Sequence, residues 1–303
     1  MSRIVFSTGY RENYWGTNWF TAKQIGGSEN MVVQLATSMA AQGHEVIVRL
    51  PYRSDTLTHR GVYWVGQEND PLKGDVLFCF DDFDRRDTAT RTVLVACRSD
   101  PPPMTNFDEM IFLSRHHAKL MGHPDRPSIG GGVHLSDYKS GMRRTPGLVI
   151  CTSSPDRCMA AFEIGPFFKK FVFTYKPVQG LPPTKQVTRE ELITLQKQAK
   201  ALIYPLDPSR PSDFFSMAVL EALAAGTPVV VSDADSMPEL WGDTATVLSR
   251  PIRVSKWVEV VDDLIANTVK WKRMSEQAKK KAADYDWAVV ARKYLKVAGT
   301  PTV

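Results

Sequence analysis

The sequence contains two successive series in which short apolar runs alternate with segments of helical periodicity. The apolar runs are residues 3–7, 44–50, 62–65, 75–80, 92–97 and 109–114 in the first half, and 148–152, 171–175, 201–204 and 228–232 in the second. Helical patterns lie between several of them, at 28–42, 156–170 and 189–199. Apolar strands that alternate with helices are typical of a parallel sheet covered on both faces. We therefore expect an α/β protein with one such sheet in each half.

The chain has 303 residues, enough for two domains of about 150 residues each. The alternating pattern breaks at the glycines of 130–132 and at the stretch RRTPG of 143–147. We therefore predict a Rossmann-like N-terminal domain at 1–145 and a second Rossmann-like domain at 146–285, and we treat 286–303 as a separate C-terminal segment. Helical periodicity at the end of the chain runs from about residue 254 to residue 296.

Apolar composition gives no sign of a membrane protein. No stretch reaches the roughly 18 consecutive apolar residues of a membrane span, and the start MSRIVFSTGY has too short an apolar run for a signal peptide. We therefore expect a cytoplasmic protein without a transmembrane segment. The cysteines, Cys79, Cys97, Cys151 and Cys158, lack the spacing of a metal site, so we expect reduced, structural thiols.

The net charge of +5 is concentrated near the C-terminus. Residues 270–296 carry nine basic and three acidic side chains, which gives +6 and leaves about −1 for the rest of the chain. Apolar residues at helical spacing, among them Met274, Ala278 and Ala282, favour the solvated face of an amphipathic helix. The alternative is a peripheral contact surface for an anionic acceptor or a membrane.

The segment SDFFSMAVLEALAAGTPV at 212–229 looks like a capped helix that leads into a buried strand. Ser212 or Asp213 can cap its start, and Gly226 can end it before Pro228. Capping does not explain Glu221, because a carboxylate on a helix that is apolar nearly all round needs a partner. If the segment between them were helical, Asp213 and Glu221 would lie about 12 Å apart along the axis. A diphosphate separates a sugar from a ribose by a similar distance.

A glycine pair, Gly26-Gly27, directly precedes the helical pattern of the first half. Glycines before a helix start allow an anion to approach the backbone closely. A flexible loop followed by a helix that Ser28 caps is an equally good explanation of this sequence. The dinucleotide fingerprint GxGxxG is absent from this turn, which disfavours a nicotinamide enzyme.

Together these segments resemble the retaining glycosyltransferases of the two-domain GT-B fold, family 4 in particular. The resemblance rests on GGSE at 26–29, GHEV at 43–46, SSPDR at 153–157, the E-x7-E-like spacing from Asp213 to Glu221 with its continuation ALAAGTPVV, and Pro238-Glu239. It implies two Rossmann-like domains that face a cleft. Trp287 matches the aromatic residue of the family's last helix, so the resemblance implies that 286–303 returns to the first domain.

The resemblance also implies a nucleotide-diphosphate sugar as co-substrate, with UDP as the expected nucleotide and no further cofactor. Glu221 would bind the ribose hydroxyls, Asp213 the transferred sugar, and Arg157 the diphosphate, for which a guanidinium fork is well suited. The full set implied for the donor is Gly26, Gly27, Arg157, Phe214, Phe215, Ser216 and Glu221.

Two departures from the family pattern concern catalysis. Asp213 stands where the family usually has Glu, and no histidine is obvious in the loop after 92–97, which reads CRSDP at 97–101. Our catalytic candidates are therefore Asp213 together with Arg98 and Asp100, either of which could replace part of the missing histidine. The motifs Asp82-Phe83-Asp84 and Asp233-Ala234-Asp235 match the D-x-D pattern of metal-dependent transferases, but three-residue matches arise often by chance. We therefore expect no metal.

The acceptor side is predicted from the aromatic stretch YRENYWGTNW at 10–19, where Tyr14, Trp15 and Trp19 could stack on a sugar or a base. A packed aromatic loop explains these residues equally well. Two acceptors stay open, a glycan or lipid-linked sugar and a nucleobase in DNA or RNA. The leading hypothesis is a metal-independent, retaining glycosyltransferase. The alternatives are a nucleotide-sugar-binding protein without turnover and a sugar-nucleotide epimerase of the same fold.

Overall fold

The computed structural model describes residues 1–8, 26–50, 56–66, 70–80, 83–100, 104–207 and 213–300. The chain divides into two compact units. The first is Met1–Gly132 with Trp287–Val303, and the second is Val133–Asp286. The second unit therefore begins 13 residues before the boundary that we predicted, and the C-terminal segment groups with the first unit.

The first unit is built on a seven-stranded sheet in the order β3-β4-β2-β1-β5-β6-β7. Its elements are β1 Arg3–Thr8, α1 Gly27–Ala41, β2 Glu45–Leu50, β3 Leu57–His59, β4 Val62–Gly66, β5 Lys73–Phe80, β6 Thr88–Val95, β7 Glu109–Ile111 and α2 Arg115–Leu120. All neighbouring strands are parallel except β3 and β4, which form a hairpin. Its two-residue turn, Arg60-Gly61, has positive φ at both positions, as type I′ hairpin turns require. The sequence analysis missed β3 because three residues carry too little periodicity.

The second unit contains a five-stranded parallel sheet in the order β12-β11-β10-β8-β9. Its elements are β8 Leu148–Thr152, α3 Ala160–Ile164, β9 Lys170–Thr174, α4 Arg189–Gln198, β10 Ala201–Tyr204, α5 Met217–Ala224, β11 Val229–Ser232, α6 Met237–Trp241, β12 Thr246–Leu248, α7 Val254–Ala266 and α8 Thr268–Ala283. Strands β8, β10 and β11 are buried along almost their whole length, as expected of strands covered on both faces. The parallel sheet predicted for each half is therefore confirmed.

The helix predicted at 156–170 is much shorter in the structure. Helix α3 ends at Ile164 and is followed by a single 3₁₀ turn, Gly165–Phe167. Pro166 has no backbone N–H to continue the helix. Gly165 lies directly under the ring of Phe171, where a Cβ atom would come within 2.2 Å of a ring carbon. The helix was predicted too long because this close contact is a tertiary feature.

The last helix, α9 (Trp287–Val297), packs within the first unit. Its buried Tyr294 donates a hydrogen bond to the carbonyl of Ile129 at 2.8 Å, and the Tyr294 ring contacts Phe78 edge to face. Gln42, at the end of α1, donates to the carbonyl of Ala288 at 3.3 Å. The final helices predicted over 254–296 are thus α7, α8 and α9, and α9 belongs to a different unit from α7 and α8.

Residues 133–145 belong to the second unit because Arg144 ties them to it. The Arg144 guanidinium donates to the carbonyls of Gln196, Ala199 and Ala225, and its cation lies 5.1 Å from the centre of the Trp271 ring. Burial lowers the pKa of Arg144 to about 10, so the side chain is still charged at neutral pH. The stretch at 143–147, where we predicted the domain boundary, is therefore anchored within the second unit.

A buried ion pair joins several segments of the first unit. Arg49 of β2 makes three hydrogen bonds of 2.8 to 3.1 Å to the Asp87 carboxylate, and it also donates to the carbonyls of Gly66 and Asp70. Asp87 in turn accepts from the amide of Leu72 at 2.9 Å. Both side chains are almost fully buried. Each charge therefore depends on the other for compensation.

We expect Arg49→Met to destabilise the first unit by about 3–5 kcal/mol, because Asp87 would be left as a buried charge without its cation. Calorimetric unfolding should show one transition moved to lower temperature. The control is Arg86→Met, since Arg86 also binds an aspartate, Asp84, but its side chain is 47% exposed. Equal shifts for the two variants would contradict the structural role of the Arg49–Asp87 pair.

Candidate functional site

The carboxyl ends of β8 and β10 bring two predicted site residues together. The chain leaves β8 toward β9 on one side and later returns to β10 on the other, so the strand order reverses between β8 and β10. Open α/β sheets bind ligands at the carboxyl ends of strands at such a reversal. Arg157 follows β8 and Asp213 follows β10, and the Arg157 Nη1 atom lies 3.9 Å from Asp213 Oδ2.

Asp213 is held inside the protein by hydrogen bonds on its backbone and its side chain. Its side chain is only 5% exposed, and its Oδ2 accepts a 2.5 Å hydrogen bond from the Tyr204 hydroxyl. The Asp213 amide donates to Asp235 Oδ2 at 3.0 Å, and its carbonyl accepts from the Ser236 hydroxyl at 2.9 Å. Burial raises the pKa of the Asp213 carboxyl, while Arg157 and Tyr204 counteract that rise.

Arg157 is the more accessible partner, since its side chain is 40% exposed. Burial of part of the guanidinium lowers its pKa, but Asp213 together with Tyr204, Tyr175 and Asp156 raises it by more, so the pKa of Arg157 lies above its ordinary value. The backbone of its loop is fixed by a hydrogen bond from the Asp207 amide to the Arg157 carbonyl, 3.1 Å long. The arrangement is a permanent cation backed by a buried acid, which suits it to an anionic ligand.

The helix after Asp213 begins later than we predicted. Helix α5 starts at Met217, and its N-cap is Ser216, whose hydroxyl accepts from the Val219 amide at 3.3 Å. Capping by Asp213 is therefore wrong, because its carboxylate faces Tyr204 and Arg157, and Ser212 lies outside the described residues. The C-terminal prediction is confirmed, since the helix ends before Gly226, which has a φ of +66°.

The side chains of Phe214 and Phe215, whose amides we predicted to contact a ligand, are buried. The Phe215 ring packs against Trp241 and Tyr285, with centroids 5.5 and 5.8 Å away. The Phe215 amide hydrogen-bonds the Asp213 carboxylate. Of the residues predicted to bind the nucleotide sugar, Phe215 thus binds the Asp213 carboxylate through its amide. Phe214 lies between these two residues in the chain.

Glu221 lies in a separate buried network. Its two carboxylate oxygens accept from Arg189 Nη1 at 2.5 Å and from Gln196 Nε2 at 3.0 Å, and the Tyr138 hydroxyl donates to Gln196 Oε1 at 2.8 Å. Although burial lowers the pKa of Arg189, the Glu221 carboxylate together with Tyr138 and Asp137 raises it by more. The expectation that Glu221 needs a partner is confirmed, and the partner lies within the protein. Neither Arg189 nor Gln196 was predicted, because they are 32 and 25 residues away and no local pattern links them to Glu221.

The predicted residues of the first unit form two groups. Gly26 is the N-cap of α1, whose first residue is Gly27, and a Cβ atom at Gly26 would come within 2.0 Å of the Glu29 carboxylate. Ser28 is thus inside the helix, and the idea that it caps the helix is wrong. Arg98 and Asp100 bind each other through two hydrogen bonds of 2.9 and 3.1 Å on an exposed surface. Tyr14, Trp15 and Trp19 lie outside the described residues.

A histidine does contact the loop after β6, although the sequence analysis found none there. His117 of α2 is fully buried, and its Nε2 lies 3.0 Å from the Arg98 carbonyl. Burial lowers the pKa of His117 to about 4. The imidazole is therefore neutral at neutral pH and fixes the backbone of this loop. The sequence carried a weak signal for it, because Ser114, three residues earlier, is a helix N-cap that places His117 in the first turn.

The acidic motifs considered for a metal are engaged with protein groups. Asp84 binds Arg86, which is the main reason that its pKa is lowered, and Asp235 accepts from the amide of Asp213. Asp82 lies outside the described residues. Across the described ranges, no three His, Cys, Asp or Glu side chains are grouped so that they could hold a metal ion. None of the four cysteines forms a disulfide.

The basic C-terminal residues lie mostly on helix surfaces. In α8 the buried face contains Met274, Ala278 and Ala282, as the periodicity indicated, and Lys270 and Lys281 pair with Asp263 and Asp243. The exposed basic residues of α8 are Lys272, Arg273, Lys279 and Lys280. Among the residues that the structure describes, no helix is long and apolar enough to cross a membrane.

Residues 183–281 match the family model described as glycosyl transferases group 1. The match covers about a third of the chain and includes Asp213 and Glu221 but not Arg157. No curated protein matches the sequence.

Several solved glycosyltransferase structures share the fold of the whole chain. One is AviGT4, a glycosyltransferase involved in avilamycin A biosynthesis, with a TM-score of 0.72, 16% identity, and coverage of 99% of this chain and 97% of its own. A second is HepE from Anabaena in complex with UDP-glucose, with a TM-score of 0.67, 12% identity, and coverage of 99% and 100%. A third is WaaG, a glycosyltransferase involved in lipopolysaccharide biosynthesis, with a TM-score of 0.63, 13% identity, and coverage of 97% and 99%.

These likenesses confirm the predicted fold class, an α/β protein of two Rossmann-like domains that matches GT-B glycosyltransferases. The family match over residues 183–281 supports a glycosyltransferase.

We expect Arg189→Met to lower the stability of the second unit by about 3 kcal/mol, because the buried Glu221 would lose its cation. The double variant Arg189→Met/Glu221→Met should recover most of that loss, since it removes both charges. Denaturant unfolding of the single and double variants measures this coupling. If the double variant loses as much stability as Arg189→Met and Glu221→Met lose together, the two side chains do not act as a pair.

Proposed function

We propose that this protein transfers a sugar from a nucleotide-diphosphate sugar to a hydroxyl group, with retention of the anomeric configuration. The observation that carries the proposal is the accessible guanidinium of Arg157, backed by the buried Asp213 carboxylate at the strand-order reversal. A diphosphate is the ligand group that this cation suits best, because a guanidinium can donate two parallel hydrogen bonds to phosphate oxygens. The neighbouring segment 183–281, with its group 1 glycosyltransferase match, supports the same assignment.

UDP is the nucleotide that we propose for the donor. The solved complex of the Anabaena protein with UDP-glucose motivates this choice. Glu221 would bind the ribose hydroxyls, and Arg189 would orient its carboxylate. The Phe215 amide binds the Asp213 carboxylate, so at the start of α5 the Ser216 amide would contact the sugar or the phosphate, as helix starts commonly do.

In the proposed reaction the bond between the anomeric carbon and the phosphate oxygen breaks, and the acceptor oxygen bonds to that carbon on the same face. The acceptor proton passes to the departing phosphate, so no separate base is required. Arg157 would stabilise the negative charge that develops on the departing diphosphate. Removing one such group costs roughly 10²–10³-fold in turnover. We propose that no divalent metal takes part, and activity that persists in EDTA would support this.

We expect Arg157→Gln to raise the Kd for UDP by roughly 10- to 100-fold, because a charge-assisted contact to phosphate is lost. Isothermal titration with UDP, and thermal shift at a UDP concentration 100 times its Kd, where wild type gains about 2.7 kcal/mol, measure the effect. The matched control is Arg250→Gln, since Arg250 has similar exposure and also lies near the carboxyl ends of the sheet. If both variants bind UDP as wild type does, Arg157 does not contact the diphosphate.

The acceptor is either a glycan or lipid-linked sugar, or a nucleobase in DNA or RNA. For the second possibility we expect Lys272→Gln/Arg273→Gln/Lys280→Gln to weaken nucleic acid binding and to make it less dependent on salt. Lys281 is left in place because it pairs with Asp243. Binding to single-stranded DNA and RNA at several salt concentrations provides the measurement. Binding that is absent or unaffected by the three substitutions would favour the glycan acceptor.

A second candidate function, nucleotide-sugar binding without turnover, is favoured by one observation. The Asp213 carboxylate, which the resemblance assigns to the transferred sugar, is directed to Tyr204 and is almost inaccessible. Incubation with a panel of labelled UDP-, GDP-, ADP- and dTDP-sugars separates the two functions. Transfer or steady hydrolysis supports the enzyme, and tight binding with no product over many hours supports the binding protein.

A further inference from the structure

Tyr204 is a buried residue that the sequence analysis treated only as part of a strand. It is the last residue of β10, and its ring is almost completely buried. Its hydroxyl donates to Asp213 Oδ2 at 2.5 Å and accepts from the Ser153 hydroxyl at 3.4 Å. Buried tyrosines usually place their hydroxyl on a polar partner. Here the partner is the carboxylate that stands behind Arg157, and Ser153 comes from the same loop as Arg157.

We propose that Tyr204 is a positioning residue that holds the Asp213 carboxylate in place and thereby fixes the Arg157 guanidinium for an anionic ligand. The inference rests on the proposed function, because it specifies how the diphosphate-binding cation is supported. Tyr204 itself does not contact the ligand in this scheme.

The geometry supports an indirect role for Tyr204. At 3.9 Å, the contact between Arg157 Nη1 and Asp213 Oδ2 is too long for a hydrogen bond. It is therefore a coulombic attraction, and it requires an ionised Asp213. The same atom, Oδ2, accepts the short hydrogen bond from Tyr204. The phenol therefore stabilises the charged form of the carboxylate on which Arg157 depends.

The groups around Asp213 show why this donor matters. Burial and the nearby Asp235 favour the neutral carboxyl, whereas Arg157, Tyr204 and the Phe215 amide favour the ionised one. Asp156 and Tyr175 are the further charged or titratable groups near Arg157, and Cys158 is near Tyr204. Burial raises the pKa of Asp213, and the hydrogen bonds from Tyr204 and Phe215 lower it. Removal of the Tyr204 hydroxyl should therefore raise this pKa.

The test compares Tyr204→Phe with wild type by following UDP binding as a function of pH. Loss of the phenol donor raises the pKa of Asp213, so the carboxyl becomes neutral at a higher pH as the solution is acidified. UDP binding should weaken below a certain pH, and we call this part of the binding profile its acid limb. We therefore expect the acid limb to lie about one pH unit higher in Tyr204→Phe than in wild type. Well above that limb, the affinity should equal that of wild type.

Tyr294→Phe is the matched control, because Tyr294 is also buried and donates one hydrogen bond, to the Ile129 carbonyl in the first unit. It removes the same hydroxyl from the other unit, so it should lower thermal stability and leave the acid limb of UDP binding unmoved. An acid limb that is identical in wild type, Tyr204→Phe and Tyr294→Phe would overturn the inference.

A direct titration separates this inference from the proposed function. The carboxyl carbon of Asp213, assigned in ¹³C spectra by its absence in Asp213→Asn, should titrate at a higher pH in Tyr204→Phe whether or not UDP binds. If wild type binds no nucleotide, the proposed function fails, while this titration still measures the effect of Tyr204 on Asp213. If Tyr204→Phe does not fold, Asp213→Asn provides the test. We expect that variant to bind UDP more weakly and without the acid limb, and an unchanged limb would refute the role of Asp213.

Discussion

A carboxylate that is removed from water needs a cation or hydrogen-bond donors, and the second unit meets this need at two places. Asp213 has Arg157, Tyr204 and the Phe215 amide, and Glu221 has Arg189 and Gln196. In each case the partners come from different segments of the chain, so the carboxylate fixes those segments relative to one another. The candidate site is therefore organised by the requirement to compensate buried charge, a requirement that operates before any ligand binds.

The parallel sheet determines where these partners can meet. Because all five strands of the second unit run in the same direction, the loops that follow β8 and β10 emerge at the same edge. The β8 loop carries Arg157 and Ser153, the β10 loop carries Asp213, and Tyr204 ends β10 itself. Side chains on strands are positioned more precisely than side chains on loops. Tyr204, at the end of β10, therefore fixes the position of the Asp213 carboxylate through the hydrogen bond between them.

The sequence was sufficient to predict the α/β class and most strands, because buried parallel strands are continuous apolar runs between turn residues. It failed where a tertiary contact overrides a local pattern, as when the Phe171 ring on Gly165 shortens a helix. It predicted that Glu221 needs a partner but could not name Arg189, since that requires knowledge of which helices pack together. It missed Tyr204 because a strand that reads ALIY suggests only core. The available signal was that a tyrosine at the end of a buried strand carries a hydroxyl that needs a partner.

The resemblance aligns Asp213 with a position that is usually Glu in the family, and the contacts of Asp213 offer a physical reason for the shorter side chain. A side chain shorter by one methylene keeps its carboxylate close to the backbone, where the Tyr204 hydroxyl and the Phe215 amide can both reach it. A longer Glu at this position would carry its carboxylate about 1.5 Å farther from the chain, away from the phenol. Asp213 and Tyr204 therefore suit each other, and within the Arg157–Asp213 pair Arg157 is the member that solvent reaches. In the proposed function, Arg157 would make the first contact with the diphosphate, and the Asp213 carboxylate behind it would determine the pH range over which the guanidinium is held in place.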